Sequence, residues 1–120
     1  MATPDRPTQS VITELVRQLL PDAGGKEARL LTIEYAPGVH TPAHRHPGAV
    51  FVYVVEGTLT HQMEGDPPRQ YRPGEHWYEA PGLLHADAGN DSTATNAKIV
   101  AFYVAEPGAP VLVFEDAGLR

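Results

Sequence analysis

Two histidines separated by one residue, His44 and His46, stand just ahead of an apolar run, Val50 to Val55. In an extended chain, alternate side chains share a face. His44 and His46 therefore point one way and Arg45 the other. Two neutral imidazoles on one face are half of a metal site, and they suit first-row divalent ions. A third, His85, follows a Pro81-Gly82 turn about forty residues later. Three such ligands leave coordination positions open for water or substrate. The plainer alternative is a set of surface or hydrogen-bonded histidines in a β-sandwich without a metal. The same-face pair combined with the third histidine favours the metal.

The rest of the composition narrows the chemistry. There is no cysteine, so disulfides, thiolate metal sites and thiol catalysis are excluded. Only Ser10 and Ser92 carry serine hydroxyls, neither near the expected pocket, which argues against a serine hydrolase. No phosphate-cradling glycine loop, nucleophile elbow or dinucleotide fingerprint is present. Nine basic against fifteen acidic side chains give a net charge of −6. An acidic chain without a basic cluster is a poor partner for nucleic acid or for a membrane surface. No apolar run approaches the ~20 residues a membrane span needs. The N-terminal apolar stretch is broken by Thr13, Glu14, Arg17 and Gln18, unlike a secretory signal. The expected location is cytoplasmic.

The elements that must position these histidines are short strands. Gly and Pro supply 23 of 120 residues, about 19% against an average of roughly 12%, and they fall between apolar runs. Segments such as Ala28–Tyr35, Val50–Val55, Thr58–Met63, His76–Ala80, Leu84–Ala88 and Lys98–Ala105 read as strands. Eight to ten strands at this spacing predict an all-β sandwich or barrel. A length of 120 residues suits one domain, which buries roughly 65% of its unfolded surface. The expected division is a tail and short helix over 1–25, a barrel over 26–114 and a tail over 115–120. Within the first part, Ile12, Leu15, Val16 and Leu19 recur at helical spacing, with Ser10 as cap and Pro21 as stop, so Val11 to Leu20 is expected as an amphipathic α-helix.

The sequence resembles a family at this point. Gly38, five residues, His44, Arg45, His46 and a later Gly57 are similar to the first motif of the cupin superfamily. Gly74, Pro81, Gly82 and His85 are similar to the second. The resemblance covers residues 26 to 104 and is closest to small single-domain cupins of the cupin 2 type. It implies a double-stranded β-helix, or jelly-roll, barrel. It also implies one divalent metal ion (Fe, Mn, Ni, Cu or Zn) held by His44, His46 and His85.

One departure matters. The first motif usually carries a Glu ligand four or five residues after its second histidine, and those positions are Val50 and Phe51. If Glu56-Gly57 is a tight hairpin turn, Gln62 lies across from Phe51, or from Val50 with one bulged residue. Gln62 is then the expected fourth ligand. Glu79 is the other candidate, either as a hydrogen-bond partner of a ligand histidine or as an acid/base. Tyr53 is expected to supply a catalytic hydroxyl. His40, His61 and His76 are expected at the surface. The resemblance implies metal-dependent oxidation, as in a dioxygenase, or isomerisation of a small organic substrate. The alternative is a non-catalytic binding or sensing module, although no DNA-binding segment is seen. A homodimer is expected, joined through the helix and the Val111 to Phe114 strand.

Overall fold

The computed structural model describes residues 9–115. The tails expected over 1–8 and beyond residue 115 lie outside the described residues. Eleven strands follow in chain order: β1 (Val11–Leu20), β2 (Lys26–Tyr35), β3 (His40–Thr41), β4 (His44–Arg45), β5 (Ala49–Glu56), β6 (Leu59–Met63), β7 (Arg69–Tyr71), β8 (His76–Glu79), β9 (Leu84–Gly89), β10 (Ala97–Ala105) and β11 (Val113–Phe114). They form two antiparallel sheets facing each other. The first runs β1-β2-β10-β5-β8, and the second runs β11-β4-β9-β6-β7, with β3 also paired to β9. This is the expected all-β jelly roll. No helix among the described residues is long and apolar enough to cross a membrane.

The central strands alternate as their sequences require. In β5, Val50, Val52 and Val54 are buried while Phe51, Tyr53 and Val55 face out. In β10, Ile99, Ala101 and Tyr103 turn inward. These residues, with Leu31, Tyr35 and Leu59, fill the space between the sheets. Apolar side chains removed from water here supply the main driving force for closing the barrel.

Two expectations are corrected. Val11 to Leu20 is a strand, not a helix. It pairs antiparallel with β2 from Val11↔Glu34 to Leu20↔Lys26, with a register shift between Glu14 and Val16. The stretch is rich in β-branched residues, and a paired ten-residue ladder prevails over a weak helical period. A short 3-10 turn, Pro21–Ala23, leads from it into β2.

The second correction concerns Glu56-Gly57. It is not a hairpin turn. β5 pairs with β10 and β8, whereas β6 pairs with β7 and β9. The dipeptide is a corner that carries the chain from one sheet to the other. Gly57 has φ +72°, and a Cβ there would lie 2.3 Å from the carbonyl oxygen of Asn96. Gly65 has φ +87° but open space around it. Gly57→Ala is therefore expected to cost about 3 kcal/mol, left-handed strain plus overpacking. Gly65→Ala should cost about 1 kcal/mol from the backbone alone. Urea unfolding of both variants beside the wild type checks the difference, and equal losses would contradict it.

Candidate metal centre

β4 and β9 pair so that His44 lies directly opposite His85. Cross-strand partners share a face, and this face is the inner one. His44 and His85 are both buried, with ring centroids 5.2 Å apart. His46 follows two residues after His44 and returns to the same side, 4.8 Å from His44 and 5.0 Å from His85 between ring centroids. Backbone carbonyls orient two of the rings. Nδ1 of His44 sits 2.8 Å from the Pro42 oxygen, and Nδ1 of His46 sits 2.7 Å from the Val111 oxygen. A carbonyl only accepts, so each Nδ1 carries the proton and each Nε2 keeps a lone pair for the interior.

The carboxylate of this cluster comes from the neighbouring strand. In the β5–β8 ladder, Val50 is opposite Glu79. Val50 is one of the two positions where the first motif would carry its Glu. Glu79 projects from the adjacent strand toward the same side and is buried. Its Oε1 is 3.1 Å from Nε2 of His46 and 3.2 Å from Nε2 of His85. Its Oε2 accepts a 2.6 Å hydrogen bond from the Trp77 indole nitrogen and lies 3.3 Å from Nε2 of His61. Trp77 and Glu79 are two residues apart on β8 and therefore share a face.

Sequence reasoning placed His61 at the surface, and the structure buries it. Its Nε2 is 3.0 Å from Nδ1 of His85, and its ring stacks on Trp77 with centroids 4.8 Å apart. The cause is a bulge in β9. Along the β6–β9 ladder, Gln62 pairs with Asp87 but Met63 pairs with His85, which leaves Ala86 unmatched. The extra residue allows His85 and Ala88 both to face inward, and His61, opposite Ala88, turns in with them.

The same parity turns Gln62 away. Its amide donates 2.9 Å to the Asp66 carbonyl oxygen in the following turn. The expectation of Gln62 as fourth ligand rested on a β5–β6 hairpin that does not form, and the structure brings Glu79 to the cluster instead. Tyr53 does not join either. It is on the outer face of β5, between the inward Val52 and Val54. Tyr35 is the tyrosine that the sequence reading passed over. It is buried and lines the internal cavity with Thr41, His44, His46, Trp77 and Glu79. Its place at the end of β2, with Leu31 and Ile33 four and two residues before it, was the available signal. His40 is half-buried, with Nδ1 2.8 Å from Asp87 and Nε2 2.8 Å from Asp91. His76 is exposed, as expected.

The cluster is electrostatically tense. Burial disfavours ionisation of Glu79, yet the facing imidazoles of His46 and His61 outweigh it and hold the carboxyl well below its usual range. Burial also opposes charge on His46, but the Glu79 carboxylate prevails and its pKa is raised. Burial lowers His44. Burial, with neighbouring imidazoles, lowers His85 to about 4. Two buried atoms, Glu79 Oε1 and His85 Nε2, have no hydrogen-bond partner although they lie 3.2 Å apart. Buried orphaned polar atoms are costly. Ligand atoms each ~2.1 Å from one ion lie roughly 3.0–3.4 Å apart in a tetrahedral or octahedral shell. The Oε1 to Nε2 separations of 3.1 and 3.2 Å fall in that range. His46, Glu79 and His85 form a group able to hold a metal ion, and His44 presents its free Nε2 from the same face.

The family follows from comparison with known proteins. The cupin domain family model matches residues 31–103, and the chain belongs to that family. Among curated proteins, dimethylsulfoniopropionate lyase DddQ of Ruegeria pomeroyi is 36% identical over 55 residues, which span 45% of this chain and 27% of the lyase. The crystal structure of the same lyase superposes with a TM-score of 0.72 at 19% identity, covering 89% of this chain and 52% of that one. An oxalate oxidase gives a TM-score of 0.70 at 24% identity over 95% of this chain and 59% of its own. The polyketide cyclase RemF of Streptomyces resistomycificus gives 0.69 at 18% identity over 90% and 72%. This chain thus spans about a quarter of the curated lyase it matches. The structural likenesses establish the barrel.

The shifted groups fix a pH dependence. The unfolded chain protonates His85 near its ordinary 6.5 and the folded one only near 4. Between those values the unfolded state binds more protons, so stability falls as pH falls. Glu79, with its lowered pKa, contributes stability above the ordinary carboxylate value that is lost on further acidification. His46 acts oppositely, contributing below its ordinary value and losing that contribution as pH rises through its raised one. Chelator-treated protein is therefore expected to melt at least ~4 °C lower at pH ~4.5 than at pH ~7, the shift produced by about 1 kcal/mol in a domain of this size. His85→Asn should flatten that slope, and thermal melts of both proteins across the range measure it.

Proposed function

We propose that this protein is a metal-dependent enzyme acting on a small organic molecule. The proposed ion-holding set is His44, His46, His85 and Glu79. The observation that carries the reading is the pair of buried, partnerless atoms, Glu79 Oε1 and His85 Nε2, aimed at one point inside the barrel. The kinship to a lyase and the fold shared with an oxidase and a cyclase support enzymatic work for such a barrel without choosing among reactions.

A divalent ion bound there would supply Lewis-acid polarisation of a substrate oxygen or, if redox-active, access to dioxygen chemistry. The chain's own residues set the remaining terms. Glu79 is held by Trp77 and His61 so that Oε1 faces the ion position, which makes the carboxylate a ligand and not a free base. Tyr35 lines the cavity, and its burial raises the hydroxyl pKa, so it stays protonated with one hydrogen bond to donate to a substrate oxygen. The cavity of about 40 Å³ has space for about three waters, at roughly 10–15 Å³ each on the same measure. Apart from the histidines and Glu79, its lining is mainly apolar, as at Leu31, Val50 and Ala101. Substrates of a few non-hydrogen atoms suit it, bound through oxygen. With a divalent ion, the single carboxylate leaves the centre one unit positive, which favours an anionic group.

Elemental analysis of the purified protein should find about one equivalent of Fe, Mn, Ni, Cu or Zn. His46→Ala should abolish it, and Glu79→Gln should weaken reconstituted binding by at least ~100-fold, since it removes a charged ligand. Gln62→Ala should leave the metal content unchanged. Substrate-dependent oxygen consumption then separates an oxygenase from an isomerase or lyase. A wild-type protein that takes up no metal even on reconstitution would overturn the proposal.

A further inference from the structure

The segment between β10 and β11 passes beside His46, and three side chains hold it by consecutive carbonyls. Arg29 Nη1 donates to the Ala109 oxygen, the Tyr103 hydroxyl to the Pro110 oxygen and His46 Nδ1 to the Val111 oxygen, each at 2.7 Å. Donors on β2, on β10 and just after β4 thus fix one short strap. A carbonyl only accepts, so the Tyr103 hydroxyl directs its proton to Pro110. Its oxygen in turn accepts from the Gly48 backbone N–H at 3.1 Å. Gly48 stands two residues after His46. The result is a closed circuit. It runs from the His46 ring to the strap, along it to Pro110, through one hydroxyl to Gly48 and back along the chain to His46. Gly48 permits the close approach, since a Cβ there would lie 2.2 Å from the Val104 oxygen and 2.6 Å from Ala105 Cβ.

We propose that the Tyr103 hydroxyl is a positioning group for His46. It fixes both the carbonyl that takes the Nδ1 proton and the loop that carries the imidazole, so the ring keeps one orientation and presents Nε2 to the ion position. It touches neither ion nor substrate. The two site histidines differ in a way that calls for such a group. His44 finds its acceptor, Pro42, two residues away in its own turn, whereas the acceptor of His46 is Val111, 65 residues further along the chain. The place of that distant oxygen depends on whatever holds the strap. Tyr103 is fully buried, with its ring centroid 6.3 Å from that of His46. Phenylalanine would fill the same space. A buried hydroxyl is costly unless bonded, and this one has both partners in the circuit. Arg29 assists. Its guanidinium holds the first carbonyl of the strap and lies over the Tyr103 ring, 5.6 Å from the centroid, while Glu14 on β1 offsets its charge at 3.1 Å from Nε. Val111 and Leu112 also line the cavity, so the same strap sets a wall of the site and the aim of one ligand.

The role rests on the reading of His46 as a ligand, and two readouts separate the two. Tyr103→Phe removes the hydroxyl and keeps the ring. In metal-free protein, nuclear magnetic resonance should show the His46 Nδ1 proton exchanging with water at least ~10-fold faster in the variant, because the ring opens more easily from its acceptor. Zinc binding, measured by competition with a chromophoric chelator, should weaken about 10-fold, the lower end of what the supporting partners of a ligand cost. Val54→Ala controls for lost stability. Val54 is buried but is not among the residues that line the cavity, so this variant should melt at least as early as Tyr103→Phe and change neither readout. Unchanged exchange or unchanged zinc affinity in Tyr103→Phe would overturn the proposal, and so would losses of the same size in Val54→Ala. A wild type that binds no zinc while its His46 proton still responds to Tyr103→Phe would overturn the metal centre and uphold the positioning of the ring.

Discussion

Everything in the interior of this barrel answers to one buried carboxylate. Glu79 sits among His46, His61 and His85 with the Trp77 indole closing its fourth side. A carboxylate taken out of water is stable only if charge or strong donors face it. Strand β8 of the first sheet and strands β6 and β9 of the second, together with the segment that carries His46, deliver those partners. The cluster therefore ties the sheets together where an apolar core alone would leave their relative position loose. The same interaction explains why His46 favours its proton, while at His85, a few ångströms away, burial prevails over the carboxylate and the proton is given up readily. Neighbouring imidazoles divide one negative charge unequally.

The position of Glu79 also shows how little the delivery of a buried carboxylate depends on a particular stretch of sequence. A sheet fixes which residues are opposite, and opposite residues reach the same space. A carboxylate supplied from β8, at the register of Val50, reaches the space that a side chain on β5 would reach, from a different direction. The second oxygen then becomes available to Trp77 and His61, two groups that lie on the β8 and β6 side. A carboxylate delivered in this way acquires its own supports and is held rigidly by them.

Much of this was legible in the chain. Alternation in Val50 to Val55, the glycine and proline punctuation and the His44-Arg45-His46 spacing lead to the barrel and to one inward-facing pair of histidines. The errors share a physical origin. Val11 to Leu20 has apolar residues that satisfy a helical period loosely, and only the availability of β2 as a partner decides for the strand. His61 and Gln62 do lie on opposite faces, but a hairpin read at Glu56-Gly57 chose Gln62 as the inward one, and the structure turns His61 in instead. Whether two consecutive strands pair or part into different sheets is a long-range outcome, and the local signal at a Glu-Gly step is the same for both. The bulge at Ala86, which turns His61 inward, leaves no mark in the residue types around it. Tyr35 and Tyr53 are equally plausible from sequence, and only strand parity sends one to the cavity and the other to the surface.

The chain contains a single tryptophan, and it is the residue whose indole nitrogen holds Glu79. Its ring also stacks on His61 and touches Tyr71. The sole strong near-ultraviolet fluorophore of the molecule is thus hydrogen-bonded to the group on which the whole site turns. Any event that changes the charge or the position of that carboxylate alters the surroundings of the indole directly. The fold has in effect wired an optical gauge to its own centre, one that reads out the state of that carboxylate in the unlabelled protein.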